Sequence, residues 1–341
     1  MTELYYPEEP IFPTGLDSTM LSAFDACPQK WFYEFCLRRV PVGRNIHLHA
    51  GGAFAKALEV TRRRYFGDGW AMEDCLNDAW IEYCKFWGDY EAPENQYKDH
   101  TNMWSALVAY FKEYPLDKDP FTPVIDKNGE PCVEFRFAIP MKAHHPETGA
   151  PLLFSGRLDQ LSTDTPDTCY AQDEKTTKAL GTAWYHQWKM RGQFHGYTYA
   201  ARQYGYPCVG ALVRGIAIQQ TQFQFAEQPI ILTTSQVDRW WEVANRRAEQ
   251  MVEAFIECKQ AWYEGDLRGM HDAFMLSFGD ACSSYGGCAF TNLCLQDEPW
   301  HTYETYETRV WNPLEQDPTA ESEDRLSKMG QGNLADFMQG M

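Results

Sequence analysis

Three groups of residues in this chain have types and spacings suited to chemistry. The first is Gly156-Arg157-Leu158-Asp159 followed by Asp173-Glu174-Lys175-Thr176. Both lie at the ends of runs that read as β-strands. Two carboxylates on neighbouring strands can converge on one hard cation, because Mg²⁺ takes oxygen ligands and commonly only one or two carboxylates. Asp173 and Lys175 are two apart and so share one strand face. A lysine there can orient a water and balance charge growing on a phosphate. The backbone carbonyl of Glu174 offers a third oxygen. Each motif alone has a plainer reading as a turn or a surface ion pair; their order and strand context favour the chemical one.

The second group is Gln193 and Tyr197, which are i and i+4 and share one helix face. An amide and a phenol placed so can hydrogen-bond a phosphate, a base edge or a bound water, whereas the plainer reading is a half-buried core tyrosine. The third is Cys282, Cys288 and Cys294, with five residues between neighbours. Three thiolates need a fourth ligand for a cubane cluster or a tetrahedral zinc. Cys27 is the remote candidate and Cys36 its rival, and the lack of a C-x-x-C pair weighs against zinc.

The elements that must position these residues follow from periodicity. Ser18 to Arg39 has a helical pattern that Pro28 must kink or restart. Gly51 to Tyr65 is a second helix, and residues 70 to about 115 form a Trp-rich helical insertion. Cys132 to Ile139 alternates with period two, the strand signal. Leu152 to Leu161 and Cys169 to Lys175 are the strands that end in the acidic motifs. Thr182 to Tyr204 is helical and carries Gln193 and Tyr197. Cys208 to Gln219 and Phe223 to Leu232 are further strands, and Ser235 opens a long helix to about Tyr263. This order gives an α/β fold with a mixed central sheet flanked by helices. The expected organisation is an N-terminal surface segment (1–17), one domain (18–300) and an acidic C-terminal tail (301–341).

The chain has 341 residues, with 30 Lys and Arg against 48 Asp and Glu, a net charge of −18. Hydrophobic residues at 44% and charged residues at 23% describe a chain that buries a core. The acidic balance excludes a basic coat that grips nucleic acid everywhere, but not a local groove. Arg38, Arg39, Arg44 and Arg62 to Arg64 are the candidate phosphate contacts. No run approaches about 18 apolar residues, so no membrane span is expected. Eleven cysteines without a signal-type leader point to a reducing cytoplasm, where clustered thiols more often hold a metal or cofactor than cross-link.

The ordered set CPQKWFY, GRLD, DEKT, Q-x-x-x-Y and a C-terminal three-cysteine cluster resembles the PD-(D/E)xK nuclease superfamily. It most resembles the iron–sulfur branch of RecB-type and CRISPR-associated exonucleases, including phage-encoded relatives. The resemblance implies a restriction-endonuclease-like core and a metal-dependent DNA nuclease, most simply an exonuclease serving recombination, repair or phage DNA processing. Asp159 and Asp173 would bind Mg²⁺ or Mn²⁺, Lys175 would be catalytic, and Gln193 and Tyr197 would contact DNA or support the site. Cys27, Cys282, Cys288 and Cys294 would hold a [4Fe-4S] cluster that staples the N- and C-terminal segments. The family's helix histidine is absent: its position falls on Ala55 or Lys56, and Glu59 is the candidate substitute ligand. Implied partners are single-stranded DNA or duplex ends and a helicase, recombinase or integrase-like protein, in the host cytoplasm for a phage protein. The alternatives are a non-catalytic iron–sulfur nucleic-acid adaptor that keeps the fold and a zinc-stapled interaction protein.

Overall fold

The computed structural model describes residues 8–43, 45–94, 96–220, 222–283 and 287–314. A short strand, β1 (Gly15–Leu16), precedes helix α1 (Ser18–Ala26), which is capped by Asp17 accepting the Met20 N–H at 2.8 Å. Pro28 starts a new helix, α2 (Pro28–Trp31), which relaxes into a π-helical turn over Phe32–Cys36. At a first helical position the missing N–H costs nothing. After β2 (Arg39–Pro41) comes α3 (Ile46–Arg62), capped by Asn45 and beginning five residues before the expected Gly51. Gly52 lies inside it because a Cβ there would sit 2.5 Å from the Phe86 ring. The bare backbone lets α3 close on α4 (Met72–Trp87), and α5 (His100–Glu113) completes the helical insertion.

Strands β3 (Thr122–Pro123), β4 (Val133–His144), β5 (Pro151–Thr165) and β6 (Thr168–Thr177) follow. The helix expected over 182–204 is two helices, α6 (Thr182–His186) and α7 (Gly192–Gln203), and they precede β7 (Cys208–Ile218) and β8 (Phe223–Ile231). The long helix α8 (Thr234–Glu264), then α9 (Leu267–Asp272), α10 (Thr291–Cys294) and β9 (Tyr306–Thr308) complete the described chain. Within the expected tail, Pro299–Thr305 is a 3₁₀ helix leading into β9; residues beyond 314, like Arg44, lie outside the described ones.

The described chain divides into two compact units. One holds the residues from Arg157 to Thr234 and those between Gly43 and Phe137. Its sheet is mixed: β3 and β6 flank β5 antiparallel, β6 and β7 run parallel, and β8 is antiparallel to β7. A parallel pair needs a crossover, and α6 and α7 supply it. The helical layer buries Trp80, Tyr83, Trp87 and Trp104, with the Trp80 and Trp104 rings 4.8 Å apart. These rings are core. Trp70 is partly exposed but lies under the Arg64 guanidinium, 4.6 Å from its ring centre. Trp80, Trp87 and Trp104 therefore offer no free face on which a nucleic-acid base could stack.

The other unit holds the residues up to Gly43, Phe137–Gly156 and those from Ser235 on. Here β1 runs parallel to the start of β5, and β2 pairs antiparallel with β9. The expected iron–sulfur staple is not in evidence. Aromatic packing joins the first helices to the later segment instead: Phe32 stacks on Phe274 at 4.8 Å, and Tyr33 lies 5.4 Å from Phe290. Tyr303 and His271, bonded at 2.7 Å, extend that contact. No helix among the described residues is long and apolar enough to cross a membrane.

Candidate active site

Strand alternation sets the site. On β6, Asp173 and Lys175 share one face, and the Lys175 Nζ lies 2.6 Å from the Asp173 carboxylate. Asp173 is buried while Lys175 keeps about a third of its side chain exposed (3% and 32%). Asp159 lies across from Asp173 on β5, one step beyond the Gln160–Gln172 pair, and accepts the Glu174 backbone N–H at 3.1 Å.

Helix α7 fastens the two strands together. The Gln193 Nε2 donates to Asp173 Oδ1 at 3.1 Å and to the Tyr197 hydroxyl at 3.0 Å. The Tyr197 hydroxyl donates to the Arg157 carbonyl at 2.9 Å. The expected DNA-contacting pair therefore touches the acidic strands directly, because i and i+4 positions on one helix reach two adjacent strands.

Burial, then the charges of Asp173, Glu174 and Glu134, pushes the Asp159 carboxyl well above its usual range. Burial also raises Asp173, against the opposing charge of Lys175. Burial alone would lower Lys175; Asp173 and Asp159 outweigh it and hold the ammonium above its ordinary value. Arg191, exposed at the start of α7, also acts on both Asp173 and Lys175.

Glu174 points to the opposite face of β6. Its carboxylate accepts from Arg62 Nη1 at 3.1 Å and Nη2 at 2.5 Å, from Tyr110 at 2.9 Å and from Gln172 at 2.6 Å. Burial pushes this carboxyl up, but Arg62 more than offsets it and holds it at about 2. Arg214, which interrupts the apolar run of β7, donates to Tyr110 at 3.3 Å and pairs with Asp119 and Glu227.

Two participants escaped the sequence reading. Glu134 has φ of +54°, a conformation that side chains rarely adopt and that gathers at functional sites. It pairs with Arg157 at 2.5 Å, and burial raises its carboxyl to about 7 despite that partner. Its place on the polar side of an alternating strand distinguished it from no other residue. Arg157 was visible only as part of the glycine–arginine motif.

The expected cofactors need correction. Among the described residues no group of three or more His, Cys, Asp or Glu side chains is arranged to hold a metal ion. The Mg²⁺ or Mn²⁺ set Asp159, Asp173, Glu174 and Glu59 is not assembled among the described residues, and basic side chains engage two of its carboxylates. Lys175 takes Asp173, and Lys56 and Arg63 take Glu59 at 3.1 Å each. The [4Fe-4S] expectation falls on the same ground. Cys27, Cys282, Cys288 and Cys294 are free cysteines, and Cys282 turns its Sγ to the Ser277 carbonyl at 3.3 Å. The four are near enough that, after burial, the other three help push the Cys294 thiol up to about 11.

The arginines expected at phosphates are also engaged: Arg62 by Glu174, Arg63 by Glu59 and the Val133 carbonyl, Arg64 by Asp68 and Asp78.

A scan against protein families matches residues 18–295 to the PD-(D/E)XK nuclease superfamily. The chain belongs to that superfamily. A search of curated proteins found no match. Membership implies nuclease activity and nucleic-acid binding in general. In PD-(D/E)XK terms, the matched span includes the acidic strands β5 and β6 and the helix that fastens them.

Proposed function

We propose that this PD-(D/E)XK protein is a DNA exonuclease of the RecB-type branch that hydrolyses phosphodiester bonds. The observation that carries the reading is the Asp173–Lys175 pair on one face of β6, with Asp159 beside it and Gln193 and Tyr197 tying both strands. In this reading the Lys175 ammonium faces the phosphate and balances the charge that grows on its oxygens during in-line attack, normally a large share of the rate. Asp173 accepts the proton of the attacking water. Asp159, raised by burial and neighbouring acids, returns a proton to the leaving oxygen as the P–O bond breaks. Arg191, exposed beside the pair, meets the incoming strand.

The test uses end-labelled linear DNA and the same sequence as a closed circle, in buffers with and without divalent cations so that the comparison rests on the residues. The wild type should shorten the linear strand and spare the circle. Asp173→Asn and Lys175→Ala should lose at least about a hundredfold in rate while circular dichroism shows the fold intact at the assay temperature. No cleavage by the wild type, or equal cleavage by Asp173→Asn, rejects the reading; cutting of the circle rejects the exonuclease part.

A further inference from the structure

The turn that joins α6 to α7 flanks the candidate active site and presents Lys189, Met190 and Arg191 to solvent. We infer that it is the surface that takes the substrate strand, with Lys189 and Arg191 on phosphates next to the scissile one and Met190 against the face of a base. The inference rests on the nuclease reading for the identity of the strand, and on the turn's own chemistry for the contact.

Position comes first. Gly215 of β7 is the register partner of Lys175 on β6, and such partners point to the same face of the sheet. A Cβ on Gly215 would sit 2.4 Å from the Trp184 ring, so the bare backbone seats α6 on the face of Asp173 and Lys175. Beyond the turn, Gln193 donates to Asp173 at 3.1 Å. One residue that packs beside Lys175 and one that bonds Asp173 thus bracket the turn. The charge of Arg191, between them, acts on both.

Packing comes second. Trp184 and Trp188 are buried with ring centres 5.5 Å apart, and Trp188 lies 5.9 Å from Phe194 of α7. The Arg191 N–H donates to the Trp188 carbonyl at 3.0 Å and closes the turn. These anchors take the inward side, and every other residue from Tyr185 to Arg191 is exposed. Met190 is 85% exposed. An unbranched thioether held clear of the core adapts to the shape it meets, and methionine is among the side chains that wedge against bases.

Charge comes third. Between Glu174 and Glu227 the sequence has no Asp or Glu, in a chain that carries 48 of them. Among the described residues neither Lys189 nor Arg191 is in an ion pair. Arg202 and Arg214, from the same stretch, turn instead to backbone carbonyls and to Asp119 and Glu227. The outward charge of the turn is therefore positive in a chain of net charge −18, which suits a polyanion. Phosphates and a base face carry no sequence information, so the surface accepts any sequence.

The experiment compares the wild type with Lys189→Ala and Met190→Ala. Kd for a fluorescent single-stranded oligonucleotide is read by anisotropy across a salt series, and again with a strand of the same length whose sugars carry no bases. Lys189→Ala should raise Kd about three- to tenfold on both strands and flatten the salt slope by about one counterion. Met190→Ala should raise Kd about fivefold on the normal strand, keep the salt slope, and change Kd by less than about twofold on the abasic one. KM for cleavage of the normal strand should rise with Kd. An unchanged Kd in either variant, a Met190→Ala effect equal on both strands, or no binding by the wild type overturns the surface. A raised Kd with an unchanged KM overturns its place beside the site. If the wild type binds but cleaves nothing, the nuclease reading fails and the Kd comparison alone decides the surface.

Discussion

Arg62→Met probes the charge pair behind the candidate active site. The guanidinium and the Glu174 carboxylate are 3% and 2% exposed. Removing the guanidinium leaves the carboxylate buried with Tyr110 and Gln172 as its remaining donors. Breaking a buried pair from one side costs about 3–5 kcal/mol, because the surviving charge is uncompensated. The titration leads to a similar size. Burial raises Glu174, Arg62 outweighs it, and the carboxyl falls from 4.5 to about 2; a shift of that order is worth about 3 kcal/mol.

The sign follows from linkage. A folded pKa below the unfolded one contributes stability that is present above about pH 4.5 and lost as pH falls through about 2. Without Arg62 the buried carboxyl titrates above its unfolded value, so the deficit of the variant is largest at neutral pH and shrinks on acidification. Urea unfolding of Arg62→Met, Glu174→Gln and the double variant at about pH 8 and about pH 5 reads both effects. The double variant should be more stable than Arg62→Met alone. Because the Glu174 N–H holds Asp159, DNA cleavage by Arg62→Met should fall even where the protein is fully folded. A loss under about 1 kcal/mol at neutral pH, or a double variant no more stable than Arg62→Met, refutes the reasoning.

Two further outcomes follow from the same geometry. Tyr197→Phe deletes the hydroxyl that bonds the Arg157 carbonyl and accepts from Gln193; it should cost about 1 kcal/mol of stability and lower kcat more than it raises KM, whereas a KM effect alone would mark Tyr197 as a substrate contact. Glu134, raised by burial to about 7, contributes stability that is fully present below its unfolded pKa and lost as pH rises through the folded one. Melting temperatures of Glu134→Gln should therefore fall less than those of wild type between about pH 5 and about pH 8, and parallel curves would count against a buried, raised carboxyl.

Much of the fold was legible because periodicity is a local property. The alternation of Val133 to Ile139, the strands that carry Asp159 and Asp173, and the long helix at Ser235 follow from side-chain spacing along one element. So do the shared face of Asp173 and Lys175 and that of Gln193 and Tyr197, since strand and helix geometry place them there whatever lies opposite. Helix limits were less legible. α3 starts ahead of Gly51, at the Asn45 cap, and runs through Gly51 and Gly52, the latter packed on Phe86 of the neighbouring helix; the break between α6 and α7 left no period signal.

Sequence alone therefore determined which reactive side chains share a face and in what order the chain presents them. Tertiary structure alone decided what each charge meets. Arg62 and Glu174 are 112 residues apart, Arg214 and Asp119 are 95 apart, and nothing in either stretch announces the other. The same holds for the tryptophans of the insertion, which became core, and for the four cysteines, which came near one another without forming a ligand set. The physical reason is range: backbone geometry orients neighbours a few residues apart, whereas ion pairing and burial depend on distances that only the packed chain sets.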